Sequence, residues 1–283
     1  MHSLDAYAQD KLASLRERHL YRALNETLRE DGIWVERHNR RFLSFSCNDY
    51  LNLTQHPAIK KAAIAAIEEF GAGSGASRLV TGNHPLYARL EARLAEFKRT
   101  EAACVFGSGY LANTGIIPAL IGSDGLVLLD EFSHACIYAG AQLSRGHVKI
   151  FRHNDVGHAR ALLDAHRTQH ERALIVTDGV FSMDGDVAPL EDLLSLAGQY
   201  DAWLMSDDAH GTGVLGGGRG SSFSENSYIA VPLQMGTLSK AIGSYGGYLC
   251  ASAPVVELMR NRARTLIYST GLPPASVAAA IAA

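Results

Sequence analysis

Lys240 stands in the segment GTLSKAIGSYGG, among small and apolar residues with no other charge beside it. A lysine so placed is partly desolvated, its pKa falls, and a neutral amine able to form a Schiff base becomes accessible near neutral pH. A solvated loop lysine is the plain alternative. Thr237 and Ser239 on the same segment offer hydroxyls to a phosphate, and its glycines leave room for a planar ligand. Asp207 ends the apolar run AWLMS, where an unpaired carboxylate is costly and calls for a cationic partner. A pyridinium nitrogen would serve, since a carboxylate beside it keeps the ring protonated and makes it an electron sink. A helix cap or a buried ion pair would serve equally well. His210 is close enough in sequence to reach the same ligand, whereas Asp208 reads as structural. His134, in DEFSHACIY, either lays its ring against an aromatic cofactor or is a satisfied interior histidine. The run Gly107-Ser108-Gly109-Tyr110-Leu111-Ala112 fits G-x-G-x-x-A, with Asp130 about twenty residues on. A dinucleotide site, a phosphate held by helix N-terminal amides and a plain β-to-α turn all remain open for it.

Other chemistries drop out. His166 and His170 share a helical face, but HRTQH lacks the glutamate of a zinc protease, and no G-x-S-x-G elbow occurs. Cys47, Cys104, Cys136 and Cys250 form no C-x-x-C pair, so neither a zinc ribbon nor a disulfide framework is suggested and a reduced cytoplasm is expected. With Lys+Arg 26 against Asp+Glu 29, the net charge of −3 provides no basic field for nucleic acid or an anionic membrane, and any anionic ligand must be met locally. Hydrophobic residues at 47% and charged residues at 19% exclude a disordered chain. The N-terminus carries charges throughout and has no apolar h-region, so no secretory signal is read. Residues 102–123 are free of charge and about long enough to span a bilayer, but Gly107, Ser108, Gly109, Asn113, Gly115 and Pro118 break them into a buried strand, turn and helix.

The elements that must position these residues follow from periodicity. The first thirty or so residues read as an amphipathic helix with Leu12, Leu20, Leu24 and Leu28 among charges, followed by short strands at 33–36 and 42–46. Pro57 and Pro85 each open a helix, with the loop GAGSGASRLVTG between the two. Apolar strands are then predicted at 103–106, 126–129, 148–151, 174–177, 203–206, 231–235 and 248–251, with helices at 156–166 and 190–199 among them. Near-continuous apolar strands alternating with helices predict a mostly parallel sheet covered on both faces, with ligands at the carboxyl ends of its strands.

Taken together, FSCNDYLNL, GAGSGASRLVTGNHPLYARLE, HNDV, DGVFSMDGDVAPL, DDAHGTGVLG and GTLSKAIGSYGGY resemble the α-oxoamine synthases, a family of fold-type I pyridoxal-phosphate enzymes, and the likeness runs from about residue 42 to 274. The resemblance implies an α/β fold-type I transferase with a mostly parallel central sheet. Its expected divisions are an N-terminal arm at 1–45, a large cofactor-binding domain at 46–270 and the start of a C-terminal domain at 271–283. It implies that Lys240 holds pyridoxal phosphate as a Schiff base and later acts as base on the substrate Cα. Asp207 would pair with the pyridine nitrogen, His210 and Ser182 would hydrogen-bond the ring hydroxyl, and His134 would stack on the ring and assist at the thioester carbonyl. Ser108, Gly109, Tyr110, Thr237 and Ser239 would surround the phosphate. Asn48 would lie on the substrate side, and the loop 73–77 with Ser77, together with Thr270, would reach a site shared between two subunits of a homodimer. The implied reaction is the decarboxylative condensation of L-alanine with pimeloyl-CoA or pimeloyl-acyl carrier protein, a step of biotin biosynthesis. Glycine C-acetyltransferase, 5-aminolevulinate synthase and serine palmitoyltransferase chemistry stays open within the family. Outside it stand a nicotinamide-dependent dehydrogenase, resting on the glycine turn alone, and a non-catalytic homologue, which would have lost the lysine. Against the family, 283 residues is short by roughly a hundred, so most of the C-terminal small domain, with the arginine for the substrate carboxylate, is expected to be absent.

Overall fold

A computed structural model describes residues 2–30, 32–224 and 227–283. Two compact units separate, Met1–Ser46 and Cys47–Ala283. The first holds α1 (Ser3–Glu17) and a three-stranded antiparallel sheet of β1 (Leu28–Arg29), β2 (Trp34–Arg37) and β3 (Arg40–Leu43). The helix is much shorter than its leucine spacing predicts. His19 takes a left-handed φ of 56°, and Leu20 N–H donates back to the Leu15 carbonyl at 2.8 Å, which closes the last turn. No residue of α1 is buried. Leu28 joins a strand instead, and β3 begins two residues earlier than predicted because His38 and Asn39, both at positive φ, form the tight turn that sets its register on β2.

The second unit begins with α2 (Pro57–Phe70) and α3 (Leu86–Lys98), each opened by its proline as expected. There follow β4 (Ala102–Phe106), α4 (Gly109–Leu120), β5 (Leu126–Asp130), α5 (Ala135–Ser144), β6 (His147–Phe151) and α6 (Val156–His166). The chain continues through β7 (Ala173–Asp178), α7 (Leu190–Gln199), β8 (Trp203–Asp207), β9 (Leu233–Thr237) and β10 (Gly247–Ala251). It ends on α8 (Ala253–Arg262), α9 (Arg264–Ile267) and α10 (Pro274–Ala282). The seven strands run in the order β4-β10-β9-β8-β7-β5-β6, parallel except for β10, which is antiparallel to both its neighbours. The mostly parallel sheet read from the sequence is therefore present. β9 starts two residues later than predicted, because Pro232 has no N–H to give the ladder.

Strand residues alternate between faces that are both covered. Val127 and Leu129 of β5 pack with α4, α5 and α8, while Leu126 and Leu128 pack with α6 and α7. On β4 and β10, Val105 and Tyr248 face α2, α3 and α10 instead. Burial of this kind, about 1.5–3 kcal/mol for each large aliphatic side chain, leaves only the strand ends for polar groups. The charge-free stretch is β4, a turn and α4, and among the described residues no helix is long and apolar enough to cross a membrane.

Candidate active site

β7 and β8 are parallel, and their register pairs Asp178 with Asp207 at the carboxyl ends of both strands. Each carboxylate is buried, at 3% and 4% exposure. Lys240 lies in the loop that leaves β9, the next strand over, and is half-buried. Burial pushes the pKa of Asp207 up, opposed by hydrogen bonds from Asn113 and the Ala209 N–H and by the nearby Lys240 and His134. Asp178 is pushed up to about 8 by burial and then by the Asp207 charge beside it. Lys240 is lowered by burial, against the pull of Asp207, Asp178 and Cys136. Two buried carboxylates and one desolvated amine thus share a small space. That arrangement suits a group that is both an electrophile toward the amine and a cation toward a carboxylate.

Asp207 is held from two sides. Asn113 Nδ2 on α4 donates to Oδ2 at 2.7 Å, and the Ala209 N–H donates to Oδ1 at 3.0 Å. The same Asn113 Nδ2 lies 3.0 Å from Cys136 Sγ, and the thiol lies 2.8 Å from His134 Nδ1. His134 caps α5 by accepting the Cys136 N–H at Nδ1, while its own N–H donates to Asp178 Oδ2 at 2.9 Å. The residue is exposed, and it lies near enough to Asp207 to help hold that carboxyl's pKa down. α4 and α5 come close enough for these contacts because Gly140 has no side chain: a Cβ there would lie 2.6 Å from the Asn113 carbonyl oxygen.

His210 Nδ1 lies 2.7 Å from the Tyr50 hydroxyl, which also donates to Asn48 Oδ1 at 3.3 Å, so two of the expected residues meet through a tyrosine. Burial, then Lys240 and His134, push the His210 pKa down to about 4. Ser182 lies exposed in the turn closed by the Val180–Val187 bridge, just after β7. The expected phosphate position is also assembled. Ser108 Oγ caps α4 by accepting the Leu111 N–H at 3.1 Å, and Gly109 and Tyr110 head the first turn, where amides have no intrahelical acceptor. Thr237 packs against Gly109 so closely that a Cβ on the glycine would lie 2.5 Å from its Cγ2. Its buried Oγ1 has no hydrogen-bond partner in the protein, while Ser239 is exposed. An orphaned buried hydroxyl beside free helix amides fits a phosphate, and with the desolvated lysine the residues present fit pyridoxal phosphate. Ser77 and Thr270 are brought to each other by an antiparallel bridge, and among the described residues neither hydrogen-bonds to the lysine group.

Asp178, Asn113, Cys136 and Tyr50 are the members that sequence reasoning missed. Asp178 had the same signal as Asp207, a carboxylate ending an apolar strand, whereas Asn113 looked like any polar residue of a helix. The dinucleotide reading of the glycine turn fails. The turn follows the edge strand β4, whose one neighbour is antiparallel, and Asp130 is fully buried, receiving the Phe132 and Asn154 N–H groups and His153. Asp208 is structural as read: it takes the buried Lys98 ammonium at 2.8 Å, which also donates to Thr212 at 3.0 Å. A cavity of about 440 Å³ lined by Leu120, Trp203, Val231, Leu233 and Leu258 lies at the opposite, amino-terminal end of the parallel strands.

The sequence profile of the family described as aminotransferase class I and II matches residues 40–283. The 8-amino-7-oxononanoate synthase of Beijerinckia indica is 62% identical over the whole chain, which covers 73% of that protein. That of Methylocella silvestris is 68% identical over 88% of the chain and 71% of its own length. Among solved structures, a serine palmitoyltransferase of S. paucimobilis with bound PLP-myriocin aldimine superposes with a TM-score of 0.89 at 30% identity, covering 99% of this chain and 72% of that one.

Proposed function

The chain belongs to the class I and II aminotransferase family, among its 8-amino-7-oxononanoate synthases, and from that premise we infer that it joins L-alanine to a pimeloyl thioester, with loss of CO2 and release of the thiol. The cofactor is pyridoxal phosphate. The observation that carries the reading is the desolvated Lys240 beside the register-paired carboxylates Asp178 and Asp207. When bound, pyridoxal phosphate supplies an electron sink for negative charge at the amino-acid Cα.

The chain's own residues do the rest. Lys240, its amine pKa lowered by burial, is assigned as the nucleophile that anchors the cofactor and then as the base that takes the proton from Cα. Asp207 is assigned to hold the proton on the ring nitrogen. Its burial, unfavourable when it faces no cation, strengthens its attraction to one. His210 and Ser182 are assigned to the ring hydroxyl. The Gly109 and Tyr110 amides with the Ser108, Thr237 and Ser239 hydroxyls are assigned to the phosphate. His134 is assigned to the ring face, from which it can donate to the thioester carbonyl oxygen as charge develops there. Asn48 belongs on the substrate side, and Ser77 with Thr270 on a face shared with a second copy of the chain.

Borohydride reduction of the loaded protein followed by peptide mass spectrometry tests the anchor: a pyridoxyl adduct on Lys240 is expected, and an adduct elsewhere or none overturns it. Thiol release with alanine, glycine or serine across acyl lengths tests the substrates. A preference for glycine with acetyl-CoA would reassign the chain to a different acyl transfer.

A further inference from the structure

Asn113 is fully buried, and its side-chain NH2 gives both its hydrogens, to Asp207 Oδ2 at 2.7 Å and to Cys136 Sγ at 3.0 Å. Its own Oδ1 is buried with no partner. Turned the other way, the amide would set that oxygen against the Asp207 oxygen, acceptor to acceptor. The orientation is thus fixed by the two neighbours at the expense of the amide's carbonyl. With its sulfur accepting from Asn113, Cys136 has its S–H left to donate, and the acceptor in reach is His134 Nδ1 at 2.8 Å. That nitrogen also accepts the Cys136 N–H at 3.2 Å. Two donors on Nδ1 put the ring hydrogen on Nε2.

We propose that Asn113 and Cys136 are positioning residues, one directed hydrogen-bond chain that aims the Asp207 carboxylate and holds His134 as the Nε2–H tautomer, its donor hydrogen free for the substrate. The chain couples the buried Asp207 carboxylate at the end of β8 to the histidine at the start of α5. The groups facing Asp207 are Asp178 on β7, His134 and Cys136 at the start of α5, and Lys240 after β9; none of them donates a hydrogen bond to its oxygens, so Asn113 is the side chain that aims it. The mechanistic part of the inference rests on the assignments of Asp207 and His134 above; the geometry does not.

The test is 15N NMR of histidine-labelled apoprotein, with the His134 signals identified by their loss in His134→Gln. The Nε2–H tautomer is expected in the wild type and in Cys136→Ser, which keeps a donor. A fall in the Nε2–H share, toward a tautomer mixture, is expected in Cys136→Ala, where only the backbone N–H of residue 136 still donates to Nδ1, and in Asn113→Ala, where the thiol is free to swing to Asp207. An Nδ1–H wild type, or wild-type signals in Cys136→Ala, overturns the proposal; should Asn113→Ala not fold, the Cys136 pair decides. In the loaded enzyme, Cys136→Ala lowers kcat by on the order of tenfold with KM little changed, and Cys136→Ser restores it. Equal losses in both variants overturn the catalytic part. Because the NMR needs no cofactor, it can succeed even where borohydride labelling of Lys240 fails.

Discussion

Thr237 and His210 show how single side chains carry opposite penalties at this site. The buried Thr237 hydroxyl has no partner in the protein, so Thr237→Val removes an unsatisfied group and is expected to leave the apoprotein melting temperature unchanged or higher. With Thr237 assigned to the phosphate, the same change is expected to weaken pyridoxal phosphate binding about tenfold in equilibrium titration. His210 is held at about 4 in the folded protein against an ordinary 6.5, burial being the main cause. Its depressed pKa means that the unfolded chain takes up the proton first, so its contribution is fully present above pH 6.5 and is lost as pH falls toward 4. His210→Asn is therefore expected to lose less melting temperature than the wild type between pH 7 and pH 4. At neutral pH the uncharged ring is free to exchange a hydrogen bond with Tyr50.

At the scale of elements, the site depends on parts that touch no ligand. Lys98, the last residue of α3, ties that helix to the loop after β8 through Asp208, Thr212 and the Arg219 carbonyl. Its side chain is fully buried, so Lys98→Met leaves a buried carboxylate uncompensated and is expected to destabilise the fold by about 3–5 kcal/mol in denaturant titration. Asp208 directly follows the assigned Asp207, so the same variant is expected to loosen cofactor binding as well. His153 does comparable work on the other side, bridging Asp130 at 3.0 Å and Asp186 at 2.7 Å between a stacked Phe132 and an edge-on Phe181. HNDV is thus a brace beneath the β5 and β7 ends.

At the scale of the molecule, the sheet is covered on both faces and its chemistry gathers at one end, so the cofactor and the core are coupled through the same strands. A ligand that binds only the folded state stabilises it by mass action, about 2.7 kcal/mol at a hundredfold excess over Kd. Pyridoxal phosphate is therefore expected to raise the melting temperature with concentration in scanning calorimetry, and by much less in Lys240→Ala. A concentration-independent melting temperature in the wild type would contradict the site assignment.

The motif residues were legible because each carries a local anomaly: a lysine among small residues, a carboxylate ending an apolar strand, a glycine pair opening a helix. The strands were legible because burial on both faces makes them continuously apolar. Asn113, Cys136 and Tyr50 carry no such mark, since a polar residue on a helix or in a loop is ordinary until a particular carboxylate or imidazole is set beside it. Nor does periodicity reveal that α1 stops at Glu17, because leucine spacing records a helical face without recording whether anything covers it. The sequence by itself determined which chemistry this chain is built for and the strand ends that would bear it. Only the tertiary structure decided that Asp178 stands beside Asp207, which depends on strand order and register, and that one amide joins that carboxylate to His134, which depends on how closely two helices pack.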